Sequence, residues 1–433
     1  MSTLRIGIAG LGTVGASVVR LLQAEPTHGG SGRNVEVTAV SARDRTRDRG
    51  VSLAGAKWFD DPVALADDDI DVFVELMGGD GDPALSAVRA ALGGGKAVVT
   101  ANKALLAAHG MELAKLAEET GAPLLYEAAV AGGIPAIRTV RDSLAGIPID
   151  SVLGILNGTC NYILTEMERG GRAFDDCLAD AQRLGYAEAD PTFDVDGWDT
   201  AHKLAILSSI AFTTEIEASA VFVEGIRKVE PADLQAAEEL GFRVKLLGIA
   251  TLTDQGVDQR VQPTMVPRGT ALAETMGVTN AVSVRGPAFG ELVLSGPGAG
   301  GDATASAVVS DLTDLARGVA PKPLGRPAAT LVPFQRSQHG GHRGCFYVRL
   351  PIADRAGAFA GLATRMAGEG ISLEQIVQKT PHRPEHMPAR EEQTVVLVTY
   401  PTEEAALLRA LEQITADGIV VREPHIIPIA QTL

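Results

Sequence analysis

The sequence predicts an α/β protein in three parts: an N-terminal parallel, doubly wound sheet, a central α+β domain and a C-terminal ferredoxin-like domain. Three observations carry this. Short apolar runs alternate with amphipathic stretches from Leu4 to Val130, the pattern of a parallel β-α-β sheet. The alternation breaks at "GGIPAIRTVRDSL", after which longer helices and paired strands follow. Beyond Cys345 the order becomes β-α-β-β-α-β. The length, 433 residues, suits about three domains at roughly 150 residues each.

In order, "LRIGIAGLGTVGASVVRLLQ" is a strand, a glycine turn and a helix. "NVEVTAVSAR" and "DVFVEL" are the second and third strands. "AVRAALGGGKAVVTANK" and "MELAKLAEETGAPLLYEAAV" each supply a helix and a further strand. In the centre, "IDSVLGILNGTCNYILTEME" is a strand that turns at Asn157-Gly158 into a helix. "DTAHKLAILSSIAF" is another helix, and "VKLLGIATLT", "VDQRVQPTMV" and "AVSVRG…ELVLSG" are antiparallel strands. "GPGAGGDATASAVVSDLTDLAR" is a glycine loop and a helix, and "PKPLGRPAATLVPFQRSQHGGHRG" has the composition of a linker. The expected boundaries are 1–134, completed by a returning helix near 300–318, then 135–299, a linker over 319–344, and 345–433.

The apolar fraction of 45% and charged fraction of 21% are ordinary for a globular chain. No apolar run reaches the ~20 residues that span a bilayer, so no membrane partner is expected. "MSTLRIGIAG" lacks the basic start and long apolar stretch of a signal peptide. Cys160, Cys177 and Cys345 form no C-x-x-C pair, which fits a reduced, cytoplasmic setting. A net charge of −16 speaks against a nucleic-acid partner. The eight histidines show no metal-binding spacing.

Gly10-Leu11-Gly12-Thr13-Val14-Gly15 matches G-x-G-x-x-G between a strand and a helix. Glycines there admit a tight turn and close approach to a pyrophosphate, and the helix N-terminus favours the anion. The motif reads as a Rossmann-type NAD(P) site. Where an NAD site places Asp or Glu after the second strand, this chain reads Ser41-Ala42-Arg43. Arg43 suits a 2′-phosphate and points to NADP, with Asp44 leaving NAD use open. "VVTANK" ends a strand on Asn102-Lys103, where strand ends face the ligand crevice.

In "GYAEADPTFDVDGWDTAHK" five carboxylates, Glu188, Asp190, Asp194, Asp196 and Asp199, precede Lys203. A calcium loop with Gly197 at its sixth position would need an acid at Thr192 and a Glu at Lys203, so that reading fails. Asp199 and Lys203 are i and i+4 on a helix whose continuation, "KLAILSSIAF", carries no further charge. They are expected as a desolvated pair in a cleft wall. A carboxylate-rich cleft suits a substrate ammonium, and a lysine beside it can move a proton to or from an alcohol oxygen. Cys160 reads as a buried, inert thiol; its alternative is the nucleophile of an aldehyde-oxidising dehydrogenase. Trp58 and Trp198 read as packing residues.

"GILNGTCNYIL", "LGYAEADP", "DVDGWDTAHKLAIL", "TANKALLA" and "YEAAVAGGIP" closely resemble homoserine dehydrogenase, a likeness running from Arg5 to about Leu315. With no kinase-like segment ahead of Arg5, it is the monofunctional form that the chain resembles. "DRAGAFAGLA", after the first strand of the C-terminal segment, looks like the start of a regulatory ACT domain. The resemblance implies interconversion of L-homoserine and L-aspartate 4-semialdehyde with NAD(P). It assigns Lys203 to proton transfer, Lys103 to the cofactor and active site, and Glu188 and Asp199 to homoserine. Asp194 falls near the substrate pocket, and Gly185, Glu188 and Gly300 near the cofactor. Glu127, Val130, Gly132 and Ile134 match a monovalent cation site, usually sodium, built largely from carbonyls. It also implies a homodimer or homotetramer and a threonine effector at the ACT domain. "ELMGGDGDPA" departs from the family in its extra acidic residues. The rival reading is a non-catalytic amino-acid sensor, which would have no use for Glu188, Asp199 and Lys203 together.

Overall fold

The computed structural model describes residues 3–24, 33–337, 343–379 and 392–430. Residues 1–2 and 25–32 of the first expected domain, 338–342 of the expected linker, and 380–391 and 431–433 of the expected C-terminal domain lie outside the described residues.

Six parallel strands form the first sheet: β1 (Thr3–Ala9), β2 (Asn34–Ser41), β3 (Lys57–Phe59), β4 (Val72–Glu75), β5 (Ala97–Thr100) and β6 (Leu124–Leu125), in the order β3-β2-β1-β4-β5-β6. Ile6, Ile8, Val72, Phe73, Val74, Val98 and Val99 are fully buried, as strands covered on both faces must be. Phe73 and Val98 pack toward helices Ala84–Gly93 and Lys103–Thr120. Val72, Val74 and Val99 pack the other way, with Val18 and Val19 of helix Thr13–Ala24 and Val308 and Leu312 of helix Gly301–Ala316. That last helix returns from far along the chain and touches helix Thr13–Ala24. A Cβ on Gly301 would stand 2.8 Å from Ser17 Oγ and 2.9 Å from Thr13 Cγ2. Strand order reverses beside β1, so the chain leaves β1 and β4 toward opposite faces of the sheet and a crevice opens beyond their carboxyl ends. The edge strand β3 is absent from the sequence expectation because three residues carry no periodicity.

The second sheet contains β7 (Ser151–Ile155), β8 (Phe222–Val223), β9 (Phe242–Thr253), β10 (Gly256–Pro267), β11 (Thr279–Gly286), β12 (Gly290–Pro297), β13 (Arg343–Ala353), β14 (Leu373–Lys379), β15 (Glu392–Thr399), β16 (Thr402–Glu403) and β17 (His425–Ile429). Its main path is β12-β11-β7-β9-β10-β17-β13-β15-β14. The C-terminal strands follow the β-α-β-β-α-β order, but they are not a separate layer. The end of β17 lies parallel to β10, with Ala430 N–H donating to Met265 O at 2.9 Å, so two sheets merge into one.

Helix Trp198–Phe212 lies across β7, β9 and β10. Ala201, Leu204, Ala205 and Leu207 are fully buried, and a buried leucine contributes roughly 1.5–3 kcal/mol. Gly248 on β9 sits beneath it, where a Cβ would come within 3.1 Å of Thr200 Cγ2. The stretch with linker composition is packed down rather than slung between domains. Tyr126 Oη donates to Pro323 O at 2.5 Å, Ala328 N to Glu118 at 3.0 Å, and Glu215 N to Val332 O at 2.9 Å. Among the described residues no helix is long and apolar enough to cross a membrane.

Candidate active site

A cleft of about 700 Å³ opens between the carboxyl ends of the parallel strands and the central sheet. Its lining includes Val14, Lys103, Gly132, Asn157, Gly185, Glu188, Asp194, Asp199, Lys203 and Gly300. Of the residues expected from the sequence, Gly10, Gly12, Thr13, Gly15, Arg43, Glu127, Val130 and Ile134 do not line it. Gly10 and Gly15 build the turn instead. Gly10 has φ +101°, a Cβ there would meet Leu76 O at 2.4 Å, and one on Gly15 would meet Gly10 O at 2.1 Å. Gly10 N–H donates to Ser41 O at 2.9 Å, which docks the turn on the end of β2. Thr13 opens the helix, and Arg43 lies exposed just beyond β2.

Asp199 is the centre of the site and is almost wholly buried. Its Oδ2 accepts from Lys203 Nζ at 2.7 Å and from Asn157 Nδ2 at 2.9 Å. Its Oδ1 faces Lys103 Nζ at 3.1 Å. Burial alone would raise its pKa, but the two lysines outweigh burial and hold it well below the usual carboxylate range. Lys203 Nζ also donates to Leu156 O at 2.7 Å, so its direction is fixed by two acceptors. Lys103 is the first residue of its helix, where a cation opposes the helix dipole. Asn102 caps that helix by accepting from Leu105 N at 3.1 Å, and donates to Gly79 O at 2.6 Å. Helix stability gains nothing from Lys103 at that position; the buried carboxylate compensates for it.

Asn157 was visible in the sequence only as a turn. It caps helix Gly158–Gly170 by accepting from Cys160 N at 2.8 Å, and its amide donates to both Asp199 Oδ2 and Asp194 Oδ1, the latter at 2.8 Å. Burial and the neighbouring Asp199 raise the Asp194 pKa. Glu188 lies exposed at the rim on a loop that begins at Gly185, which has φ +78°. Gln182 Nε2 donates to Glu188 O at 3.0 Å, and Thr159 Oγ1 donates to Tyr186 O at 2.5 Å. Glu75 was missed altogether. Fully buried at the end of β4, it accepts from Met77 N at 2.7 Å, Gly78 N at 3.2 Å and Thr100 Oγ1 at 2.6 Å. These bonds shape the Met77–Gly78 wall of the cleft. The only sequence signal was an acid closing an apolar strand.

Other expectations resolve differently. Asp190 caps a turn through Thr192 N, and Asp196 pairs with Arg227 at 2.5 Å, so neither enters the cleft. Cys160 is fully buried, its Sγ donates to Asp194 O at 3.2 Å, and burial pushes the thiol well up, which removes the thiolate a nucleophile needs. Trp198 is 46% exposed and is not a core residue. Phe193 sits edge-on to His202 at 5.3 Å, with Lys103 Nζ over its ring.

A glycine turn at a parallel-sheet switch point, facing a buried carboxylate shared by two lysines, defines a nicotinamide-nucleotide-dependent oxidoreductase acting on a CH–OH group. Comparison with known proteins gives the family. A family model described as "Homoserine dehydrogenase, NAD binding domain" matches residues 10–127, and one described as "Homoserine dehydrogenase" matches residues 135–313. A homoserine dehydrogenase of Pseudomonas aeruginosa is 43% identical over 389 residues, 88% of this chain and 89% of that protein. The crystal structure of a homoserine dehydrogenase from Thiobacillus denitrificans superposes with a TM-score of 0.91 at 38% identity, covering 99% of both chains. A hyperthermophilic archaeal homoserine dehydrogenase in complex with NADPH has a TM-score of 0.64 at 27% identity, over 74% of this chain and 99% of that one. The chain belongs to the homoserine dehydrogenase family.

Proposed function

We propose that this protein interconverts L-homoserine and L-aspartate 4-semialdehyde, with NADP as the preferred nucleotide and NAD as the second. The observation that carries this reading is the Lys103–Asp199–Lys203 arrangement on the wall of the nucleotide crevice.

The Gly10–Gly15 turn and the start of helix Thr13–Ala24 hold the pyrophosphate, with Arg43 toward the ribose. Gly185, Glu188 and Gly300 lie toward the nicotinamide end. A nicotinamide bound there would supply the hydride chemistry at the alcohol or aldehyde carbon. The protein's own residues manage the proton and the pose. Lys203 removes the proton from the alcohol oxygen, or donates it to the carbonyl oxygen, while Asp199 and Leu156 O keep its Nζ aimed. Lys103, on the other oxygen of Asp199, adds positive charge beside the oxygen as it becomes an alkoxide. Glu188, Asp199 and Asp194 supply the negative charge for the substrate ammonium.

A monovalent cation, sodium by family likeness, is proposed at the carbonyls of Glu127, Val130, Gly132 and Ile134. Val130 and Gly132 are buried, yet among the described residues no donor meets either carbonyl. A buried acceptor left so is costly, and a cation would satisfy it. The Ile134 carbonyl already accepts from Ala136 N at 2.7 Å, so it is the weakest member of the set. The Glu127 carboxylate turns away and accepts from Ile137 N and Arg138 N, each at 2.9 Å. The β13–β17 unit is proposed as an ACT-type regulatory domain that responds to threonine, in a cytoplasmic homodimer or homotetramer with the domain limits given above.

The test is NADPH oxidation with L-aspartate 4-semialdehyde, repeated with NADH, each with and without L-threonine. Faster turnover with NADPH, slowed by threonine, is expected. Folded protein that binds nucleotide but turns over neither cofactor would overturn the reading.

A further inference from the structure

Glu75 ends β4 with a carboxylate that the proton path does not use, and it has no exposed surface. It is paired with Thr100, the last residue of β5, at the carboxyl end of the parallel sheet. An acid buried there without partners would be costly, yet the groups that reach it are donors. Oε1 accepts from Met77 N at 2.7 Å and Gly78 N at 3.2 Å, and Oε2 accepts from Thr100 Oγ1 at 2.6 Å. Burial raises its pKa, and these donors act in the opposite direction.

The two oxygens serve different walls of the cleft. On the Oε1 side the chain runs Met77-Gly78-Gly79, with φ of +82° at Gly78 and +85° at Gly79. A Cβ on either glycine would meet nothing within 4 Å, so it is the two bonds to Oε1, not side-chain packing at the glycines, that fix this turn. Met77 and Gly78 line the cleft. On the Oε2 side, Thr100 Oγ1 donates to Glu75 and accepts from Asn102 N at 3.0 Å. Asn102 in turn caps the helix that begins at Lys103, accepting from Leu105 N at 3.1 Å, and donates to Gly79 O at 2.6 Å. The bonds therefore form a closed circuit from Glu75 through the glycine pair, Asn102 and Thr100 back to Glu75. Lys103, the next residue after Asn102, holds its Nζ 3.1 Å from Asp199 Oδ1.

A lysine at the start of a helix is pushed outward by the helix dipole, so its direction has to be set by its surroundings. Bonds to a carboxylate are shorter and stiffer than neutral ones, and a buried carboxylate has no water to turn toward. We infer that Glu75 is a positioning residue for the reaction: through Thr100 and the Asn102 cap it aims Lys103 at Asp199, and through the Met77 and Gly78 amides it holds the adjoining wall of the nucleotide crevice in register with it. This rests on the role proposed above for Lys103 and adds the group that sets its direction. Glu75 touches neither substrate nor nucleotide itself; it acts through the turn and the cap.

The experiment compares Glu75→Gln, Thr100→Val and Thr100→Ser in the full chain. Glu75→Gln keeps an acceptor for the two amides but turns an N–H onto Thr100. Thr100→Val removes the hydroxyl and leaves the carboxylate, and Thr100→Ser keeps both. Two readouts are taken: turnover set against NADPH affinity, and the rate at which acetic anhydride labels Lys103 and Lys203, followed by mass spectrometry with no substrate present. Glu75→Gln and Thr100→Val are each expected to lower turnover at least roughly tenfold, the scale of a small misplacement, with NADPH affinity within about twofold. Lys103 should label at least about threefold faster in both, since a side chain released from its partner is met more often by reagent, while Lys203 labels at the wild-type rate. Thr100→Ser should behave as the wild type in both readouts. Unchanged Lys103 labelling in Glu75→Gln and Thr100→Val would overturn the inference. So would equal acceleration at Lys103 and Lys203 with a lowered melting temperature, which would make Glu75 a general structural prop. A wild type without turnover would instead strike at the proposed function, and the labelling would still decide whether Glu75 positions Lys103.

Discussion

Lys103 Nζ stands 3.1 Å from Asp199 Oδ1, although the two residues belong to different sheets' helices and lie far apart in the chain. The contact joins the NAD-binding part of the protein to the central part at one carboxylate. Because Lys203 occupies the other oxygen, a single buried negative charge orients two cations.

Lys203→Ala is therefore expected to lower turnover by roughly 10²-fold or more while nucleotide affinity stays within about twofold. Asp199 would keep Lys103 and Asn157, so the loss of stability should remain about 1–3 kcal/mol. Steady-state kinetics alongside nucleotide titration checks both. Unchanged turnover would remove Lys203 from the proton path.

Asn157 offers a cleaner separation of cap from site. Asn157→Asp keeps an acceptor for Cys160 N, and so keeps the helix cap, but replaces the amide donor with a carboxylate facing Asp194 and Asp199. Turnover should fall at least tenfold and Asp194 should titrate higher still, since like charges share the site. Asn157→Ala loses the cap as well, worth about 1 kcal/mol. If Asn157→Asp kept wild-type turnover while Asn157→Ala lost it, the side chain would be serving only as a cap.

How much of this was legible follows from where each signal lives. Asp199–Lys203 could be read because both residues sit on one otherwise apolar helix, a local pattern. Lys103 could be placed at a strand end, but not against Asp199, because that contact is set by how two sheets meet. Glu188, Asp190, Asp194, Asp196 and Asp199 looked like one acidic cluster. Helical and turn geometry sends Asp190 to a cap and Asp196 to Arg227, which spacing alone does not reveal. Merging of the C-terminal sheet with the central one depends on a single β10–β17 contact and leaves no mark in the pattern of β17.

Lys245 on β9 gives a prediction about pH. It is buried, and Nζ donates to Thr275 O at 2.5 Å, Asn161 Oδ1 at 2.9 Å and Met276 Sδ at 3.4 Å, none of them a carboxylate. Burial, with Arg243 adding to it, pushes its pKa down to about 7. The unfolded lysine titrates near about 10.4. Between those values the unfolded chain binds more protons, so this group makes stability rise from about pH 7 to about pH 10. Lys245→Met should flatten that part of the curve of urea midpoint against pH. A variant curve parallel to that of the wild type would mean that Lys245 keeps its ordinary affinity for protons.

Asp233, in helix Pro231–Glu239, is the fastening between the central part and the C-terminal strands. It has no exposed surface, and it accepts from Tyr347 Oη at 2.9 Å and Arg349 Nε at 2.7 Å on β13, and contacts His425 Nδ1 at 3.0 Å on β17. Burial would raise its pKa, but His425 and Arg349 bring it below the ordinary carboxylate value. With the folded pKa below the unfolded value of about 3.9, its contribution is present above about pH 4 and is lost as pH falls further. Asp233→Ala removes one partner of a buried ion pair, a change that costs about 3–5 kcal/mol. The loss should be local. Hydrogen exchange is expected to speed up in β13 and β17 while helix Trp198–Phe212, which carries Asp199 and Lys203, keeps its protection. Faster exchange in that helix too would show that the C-terminal strands support the central part directly, through the shared sheet rather than through Asp233.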